Sequence, residues 1–319
     1  MRVGVIIPPT ADPAGVVDTA VRAEELGFDY LACGEHVFFH GPMQNAFVTL
    51  AAAAAVTSRI RLLSALTVLP LYPAALAAKQ ASILDRISHG RFDLGVGVGG
   101  EFPPEFDAVG VPVRGRGRRT DEALDLLRAL FAGGPVDFTG ENARVAGLRL
   151  DPPPMQPGGP PIWVGGRKEA ALRRTVRYGD VWFPYVVSPE QLAAGLARLR
   201  ELHDELEVDR VLPRGAFFGW GAVDESSARA RGMAVSVVSE TYQQDFAPLA
   251  DRYLVAGSPA QVVDRLGMYA EHGASDFIFA PAAADAQSLR HMVDLFADQV
   301  LPHIRSDEPI GPPADKDAS

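Results

Sequence analysis

The sequence contains a single cysteine, Cys33, among 319 residues. One thiol can form neither an internal disulfide nor a cysteine-based metal site, so a disulfide-rich domain and a zinc module are excluded. The sequence also lacks the run of ~18 apolar residues that a membrane-spanning helix needs, and its first residues lack the apolar core of a signal peptide. We therefore expect a cytoplasmic protein that binds no metal and no membrane.

Positive charge is also scarce. The chain has 30 Lys and Arg against 40 Asp and Glu, a formal net charge of −10. Because nucleic-acid backbones are bound by basic surfaces, nucleic acid is not an expected partner. The densest basic cluster consists of Arg114, Arg116, Arg118 and Arg119. These arginines suit either a solvated helix start or a patch that attracts an anionic ligand to a binding site.

Glycine and proline, in contrast, are abundant, with 31 Gly and 26 Pro. Prolines such as Pro8, Pro70 and Pro73 lie between short apolar runs and longer amphipathic stretches. Short runs rich in Val, Ile and Phe predict strands buried on both faces, and helical stretches alternate with them. Eight such strands over the whole length favour an α/β protein with a (β/α)8 TIM barrel over an open doubly wound sheet.

Two segments depart from this alternation. Residues 135–161 are rich in Gly and Pro and alternate apolar with polar side chains, which predicts an antiparallel hairpin inserted into the barrel. Residues 306–319 contain four acids, one lysine and three prolines, which predicts a disordered acidic tail. We therefore expect one barrel domain over residues 1–305.

The predicted fourth strand ends in a run of glycines. Gly95, Gly97 and Gly100 have the spacing of a dinucleotide-binding loop, but two prolines follow where that motif begins a helix. On a strand, Gly95, Gly97 and Gly99 would share one bare face near the carboxyl end of the barrel. Either a flat ligand lies against this backbone, or the glycines permit tight packing inside the barrel.

Several motifs, taken in order, resemble those of the bacterial luciferase-like oxidoreductases. They are Gly27-Phe28-Asp29, Glu35-His36, TVLPLYP at 67–73, LDRISHGR at 84–91, LGVGVG at 94–99, PPIWVGG at 160–166 and YGDVW at 178–182. This set is most similar to the branch that uses the deazaflavin coenzyme F420, with flavin mononucleotide (FMN) enzymes as near relatives. The resemblance implies a barrel with an inserted segment and a cofactor at its carboxyl end.

The resemblance also implies roles for two loops. Glu35-His36 matches an acid–histidine pair in which the histidine exchanges a proton with the substrate, a task that suits imidazole because its ordinary pKa lies near neutrality. The alternative is that His36 only orients a loop. Leu66, Thr67 and Val68 end the predicted third strand, where family members carry a non-proline cis peptide behind the cofactor ring.

Two glycine segments match positions that contact the cofactor. Gly97-Val98-Gly99 matches the backbone that lines the ring. In sugar-phosphate dehydrogenases of the family a glutamate follows at once, whereas here Gly100 intervenes before Glu101.

The second glycine segment is Gly165-Gly166-Arg167, between a predicted strand and a predicted helix. Free amides at a helix start and a guanidinium would bind a cofactor phosphate. The alternative is an ordinary turn.

The implied activity is hydride transfer between coenzyme F420 and a small organic substrate. The alternative is a monooxygenase that uses reduced FMN and oxygen, because the cofactor decides the reaction class. A barrel without a cofactor is disfavoured because the acid–histidine pair and both glycine segments occur together. A metal hydrolase is disfavoured because Ile6-Ile7-Pro8 supplies no ligand after the first strand. Family habit further implies a homodimer.

Overall fold

The structure is a computed structural model and describes residues 1–8 and 13–305. Its strands are β1 Arg2–Ile6, β2 Tyr30–Cys33, β3 Arg61–Ser64, β4 Thr67–Val68, β5 Phe92–Gly97, β6 Pro135–Thr139, β7 Arg144–Arg149, β8 Ile162–Gly165, β9 Val181–Phe183, β10 Arg214–Val223, β11 Val255–Gly257 and β12 Ala274–Pro281. Eight parallel strands close into a barrel in the order β1-β2-β3-β5-β8-β9-β10-β12, and β12 pairs again with β1. The predicted (β/α)8 barrel is confirmed.

Helices follow the barrel strands and cover them. They are α1 Pro13–Glu25, α2 Ala46–Val56, α3 Ala74–Ile87, α4 Pro103–Ala108, α5 Arg116–Phe131, α6 Glu169–Tyr178, α7 Pro189–Glu205, α8 Ser227–Tyr242, α9 Ala250–Tyr253, α10 Pro259–Glu271, α11 Ala286–Gln299 and α12 Leu301–Ile304. Local sequence explains several helix starts. Ser188 and Ser258 each precede a proline and form a capping box with the glutamine three residues later. Within the described residues, no helix is long and apolar enough to cross a membrane.

The predicted third strand, Arg61 to Val68, is interrupted. β3 ends at Ser64, a cis peptide bond joins Ala65 to Leu66, and β4 resumes the pairing with β5. The Ser64 hydroxyl bridges the interruption, because it accepts from Gly95 N (2.9 Å) and donates to Gly95 O (3.1 Å). The chain therefore bulges at the carboxyl end of the barrel while β3 and β5 stay joined.

The predicted inserted hairpin is present as β6 and β7, which pair antiparallel. Glu122 of α5 fastens it, since its carboxylate accepts from the backbone N–H groups of Asn142 and Ala143 at 2.7 and 2.9 Å. The sequence did not predict β11, a three-residue strand that pairs with β10 outside the barrel. The predicted tail at 306–319 lies outside the described residues.

The barrel interior is apolar above a layer of buried charge. Its packed residues are Tyr30, Ala32, Leu63, Trp163, Val181, Phe183, Ala216 and Ile278. At the amino ends of the strands, buried Asp276 pairs with Arg2 and Arg214, and buried Asp93 pairs with Arg61. Charged side chains therefore fill the interior at this end, and barrels of this kind bind their ligands at the carboxyl end.

Candidate active site

The predicted site residues follow four strands that are neighbours in the barrel, β2, β3, β5 and β8. The carboxyl ends of parallel strands meet at one edge, so the loops that follow them surround a common mouth. This arrangement brings the acid–histidine pair, the bulge at Leu66 and both glycine segments to one end of the barrel. The described residues contain no cluster of His, Cys, Asp and Glu that could hold a metal ion.

His36 is held by the buried carboxylate of Glu105, which lies in the segment that follows β5. Its Nδ1 lies 3.1 Å from both carboxylate oxygens of Glu105 in α4, and Glu105 has no solvent exposure. The same carboxylate accepts from Val37 N at 3.3 Å. One face of the imidazole stacks on Phe39, with ring centroids 4.3 Å apart. A carboxylate beside Nδ1 favours the tautomer that carries its proton on Nδ1, in which Nε2 is the nitrogen that can accept a proton.

Sequence reasoning assigned no role to Glu105. Its partner is 69 positions away, and no local spacing reveals such a pair. Two prolines follow the glycine run, and α4 begins on the first of them, Pro103, where proline is tolerated because first-turn N–H groups have no helical acceptor. This short helix is the element that delivers Glu105 to His36.

Glu35 is buried and receives hydrogen bonds from four donors. Val68 N (3.1 Å), Ala46 N (3.1 Å), the Tyr72 hydroxyl (3.0 Å) and Asn45 Nδ2 (3.4 Å) all point at its carboxylate. Burial raises the pKa of Glu35, against the effect of these donors. The side chain ties the loop after β2 to the start of α2 and to β4, which suits positioning better than proton transfer to a ligand.

The side chain of Leu66 covers the glycines of the neighbouring strands. A Cβ added at Gly165 would overlap Leu66 Cδ1, and one at Gly95 would overlap the carbonyl oxygen of Ser64. At Gly97 a Cβ would lie 3.4 Å from Leu66. Tight packing therefore explains why residue 95 is a glycine. Leu66, which is half-buried, covers the glycine backbone that was predicted to be bare at the mouth of the barrel.

The prediction that Gly99 shares a face with Gly95 and Gly97 was wrong. β5 ends at Gly97, and Gly99 and Gly100 turn away with φ of +57° and +101°. A Cβ at Gly99 would lie 2.6 Å from Val68 Cγ1. The alternation of side chains between the two faces of the strand therefore ends at Gly97. The next residue, Val98, is half-buried at the mouth.

Two members of the arginine cluster fasten the loops at the mouth. Arg116 Nε donates to Gly99 O (3.0 Å), and Arg119 Nε donates to Pro70 O (2.8 Å). Arg114 and Arg118 are exposed. Arg116 and Arg119 thus bind backbone carbonyls. Neither predicted role, a solvated helix start or a patch that attracts an anionic ligand, included such contacts.

The second glycine segment joins β8 to α6. Gly166 has φ of +113°, and its carbonyl accepts from Trp182 Nε1 at 2.8 Å. No side chain caps the start of α6. Arg167 Nη1 donates to Val186 O (2.8 Å), and its guanidinium lies 5.0 Å from the centre of the Tyr185 ring. The segment is a glycine turn beside helix amides that no side chain caps, a combination that can accept an anion.

A cavity of about 270 Å³ lies beside His36. Its lining consists of Glu35, His36, Val37, Met43, Gln44, Asn45, Val68, Leu71 and Tyr72. It is therefore built from the loop after β2, the start of α2 and the turn after β4, and both members of the acid–histidine pair reach it. Buried Thr67, next to Val68, has a hydroxyl oxygen without a hydrogen-bond partner among the described residues.

The sequence matches a known family over most of its length. The family described as luciferase-like monooxygenases covers residues 1–276. The chain belongs to this family. The resemblance seen in the motifs is thereby confirmed, and the barrel with its mouth at the carboxyl end is the luciferase-like fold.

Individual members of the luciferase-like family are similar to different extents. An uncharacterised protein of Mycobacterium tuberculosis is 37% identical over 179 residues, which are 56% of this chain and 61% of that relative, so the match spans less than two thirds of the relative's length. The F420-dependent glucose-6-phosphate dehydrogenase of Nocardia farcinica is 27% identical over 92% of this chain and 95% of that protein. Among solved structures, the monooxygenase RslO1 of Streptomyces bottropensis has a TM-score of 0.82 at 25% identity and covers 96% of this chain and 100% of that one.

Proposed function

We propose that this protein is an oxidoreductase that transfers hydride between coenzyme F420 and a small organic substrate. The observation that carries the proposal is His36, whose Nδ1 is held by buried Glu105 and which lines the cavity at the mouth of the barrel. The likeness to the Nocardia farcinica F420-dependent enzyme over 92% of the chain supports the choice of cofactor.

Several features of the mouth fit a flat cofactor with a phosphate. Leu66, Thr67 and Val68 would form one wall, where Leu66 is half-buried and the Thr67 hydroxyl has no partner in the described chain. The segment Gly97-Val98-Gly99 would line the ring from the neighbouring strand. When bound, a deazaflavin supplies a carbon that accepts or donates a hydride.

The phosphate would lie at the second glycine segment. Gly165 and Gly166 allow close approach of the backbone, and the amides at the start of α6 are not capped by a side chain. Arg167 would provide a nearby cation.

The residues of the chain handle the proton that accompanies the hydride. When an alcohol is oxidised, His36 Nε2 would accept the hydroxyl proton, and when a carbonyl is reduced it would return that proton to the oxygen. Glu105 stabilises the imidazolium that forms and keeps Nε2 directed at the substrate. Glu35 holds the loop that carries His36.

A monooxygenase that uses reduced FMN and oxygen is the second candidate, favoured by the likeness to RslO1. Titration of the purified protein with F420 and, separately, with FMN separates the two, with ligand absorbance and tryptophan fluorescence as readouts. Saturable binding of F420 and weaker binding of FMN is expected. Tight binding of FMN without binding of F420 would contradict the F420 proposal and favour the monooxygenase.

A further inference from the structure

We propose that the cavity beside His36 binds a small, neutral, largely apolar alcohol or carbonyl compound and rejects phosphorylated and other anionic substrates. This inference rests on the proposed function, because it assigns the substrate class for the same site. It depends on the walls of the cavity, the charges around it and the aromatic side chains next to His36.

The walls offer apolar contact. Val37, Met43, Val68 and Leu71 contribute four of the nine lining residues. The volume, about 270 Å³, is just below the range of roughly 300 to 1,000 Å³ that is usual for ligand pockets. A small molecule with a few carbons therefore fits better than an extended one.

The charges around the cavity are unfavourable for an anion. Glu35 is in the lining and Glu105 contacts His36 Nδ1, whereas no Lys or Arg is among the lining residues of the described chain. Phosphate sites use arginine or lysine side chains, or helix amides, to balance the charge. The nearby cations Arg116 and Arg119 already donate to the carbonyls of Gly99 and Pro70.

Aromatic side chains extend the apolar surface next to His36. Phe39 stacks on the imidazole, and the Phe102 ring lies 6.3 Å from Phe39 and 5.2 Å from His40, in edge-on geometry. Phe38, which follows Val37, is 55% exposed. Exposed apolar side chains close to a binding residue favour a ligand with apolar surface.

The test compares two probes of similar ring size, cyclohexanol and glucose 6-phosphate. Binding is measured by ligand-detected NMR on the unloaded protein and on protein loaded with F420, where absorbance reports the loading. We expect cyclohexanol to bind both forms and glucose 6-phosphate to bind at least tenfold more weakly. Binding of glucose 6-phosphate as tight as that of cyclohexanol, or no binding of cyclohexanol to either form, would overturn the inference.

A charge introduced at the rim sharpens the test. Val37 lines the cavity and is 50% exposed, so Val37→Lys is compatible with folding. It should weaken the binding of cyclohexanol and strengthen the binding of glucose 6-phosphate, each by several-fold. Val56→Lys, at the far end of α2 and 39% exposed, is the matched control and should change neither.

The design separates two kinds of failure. A protein that does not load with F420 contradicts the proposed function, and the titration of the unloaded protein with cyclohexanol still tests the cavity. A protein that loads normally but prefers the phosphorylated probe contradicts the substrate class alone. Equal effects of Val37→Lys and Val56→Lys would likewise show that the cavity does not select the probe.

Discussion

The carboxylate of Glu105 contacts Nδ1 of His36 through both of its oxygens, across 69 positions of sequence, and is itself fully buried. Such a contact fixes the tautomer and the orientation of an imidazole at once. The neighbouring Glu35, although adjacent to His36 in sequence, points at four other donors instead. The acid that contacts the His36 ring in this structure is therefore Glu105, and not Glu35.

Replacement of Glu105 by glutamine should lower kcat by at least about 10-fold, because His36 loses the charged acceptor of Nδ1; loss of the corresponding carboxylate in a Ser-His-Asp triad costs about 10⁴-fold. The affinity for the cofactor should stay within a factor of about two, because the hydrogen bonds of the Glu105 carboxylate in the described chain go to His36 and Val37, outside the proposed cofactor segments. Steady-state kinetics and a cofactor titration measure the two quantities. Asp107→Asn, on an exposed position of α4, is the control. Unchanged kcat in Glu105→Gln would show that this pair does not orient His36 for catalysis.

Replacement of Glu35 by alanine should lower the free energy of unfolding by about 2 to 3 kcal/mol, because buried donors lose their acceptor. The donors from Val68, Ala46 and Tyr72 are the ones affected most directly. Glu35→Gln keeps one carbonyl acceptor and should cost less. Urea unfolding followed by circular dichroism measures both variants. Wild-type stability together with a loss of turnover would instead favour a direct catalytic role for Glu35.

The glycines packed under Leu66 should respond differently to substitution by alanine. At Gly95 the new Cβ meets the backbone of Ser64, which cannot move alone, so Gly95→Ala should cost about 2 kcal/mol or more. At Gly165 the obstacle is the end of the Leu66 side chain, which can rotate. Gly165→Ala should therefore cost less, and Leu66→Ala should remove most of that cost in a double-mutant cycle of unfolding free energies. Additive effects of the two changes would contradict direct packing of Leu66 on Gly165.

The barrel could be predicted because each strand is visible in the local sequence, as a short run of β-branched residues bounded by proline. The cis peptide at Ala65-Leu66 was expected from the family resemblance alone, whereas the residues themselves predicted one strand over 61–68, because the interruption depends on tertiary packing near Gly95 and Gly165. A family match pointed to His36, yet its partner Glu105 depends on the meeting of two distant loops.

The two-residue periodicity of strands predicted that Gly99 lies on the same face as Gly97, but β5 ends at Gly97. Periodicity alone cannot tell where a strand stops. The predicted homodimer, by contrast, is a matter of surfaces between chains, and it stays a prediction.

The buried charges at the amino end of the barrel should make stability fall in acid. Burial alone would raise the pKa of Asp276, but Arg214 and Arg2 outweigh it and hold that pKa below its usual range. A carboxyl with a lowered pKa in the folded state stabilises the fold above its unfolded pKa of about 3.9, and this contribution is lost as the pH falls through the folded value. Urea unfolding between pH 7 and pH 3 should thus show a loss of stability below about pH 4 that is smaller in Asp276→Asn. Asp276→Asn leaves two arginines without their partner, so it should also be less stable at pH 7. An equal slope of unfolding free energy against pH in both proteins would show that other groups cause the acid sensitivity.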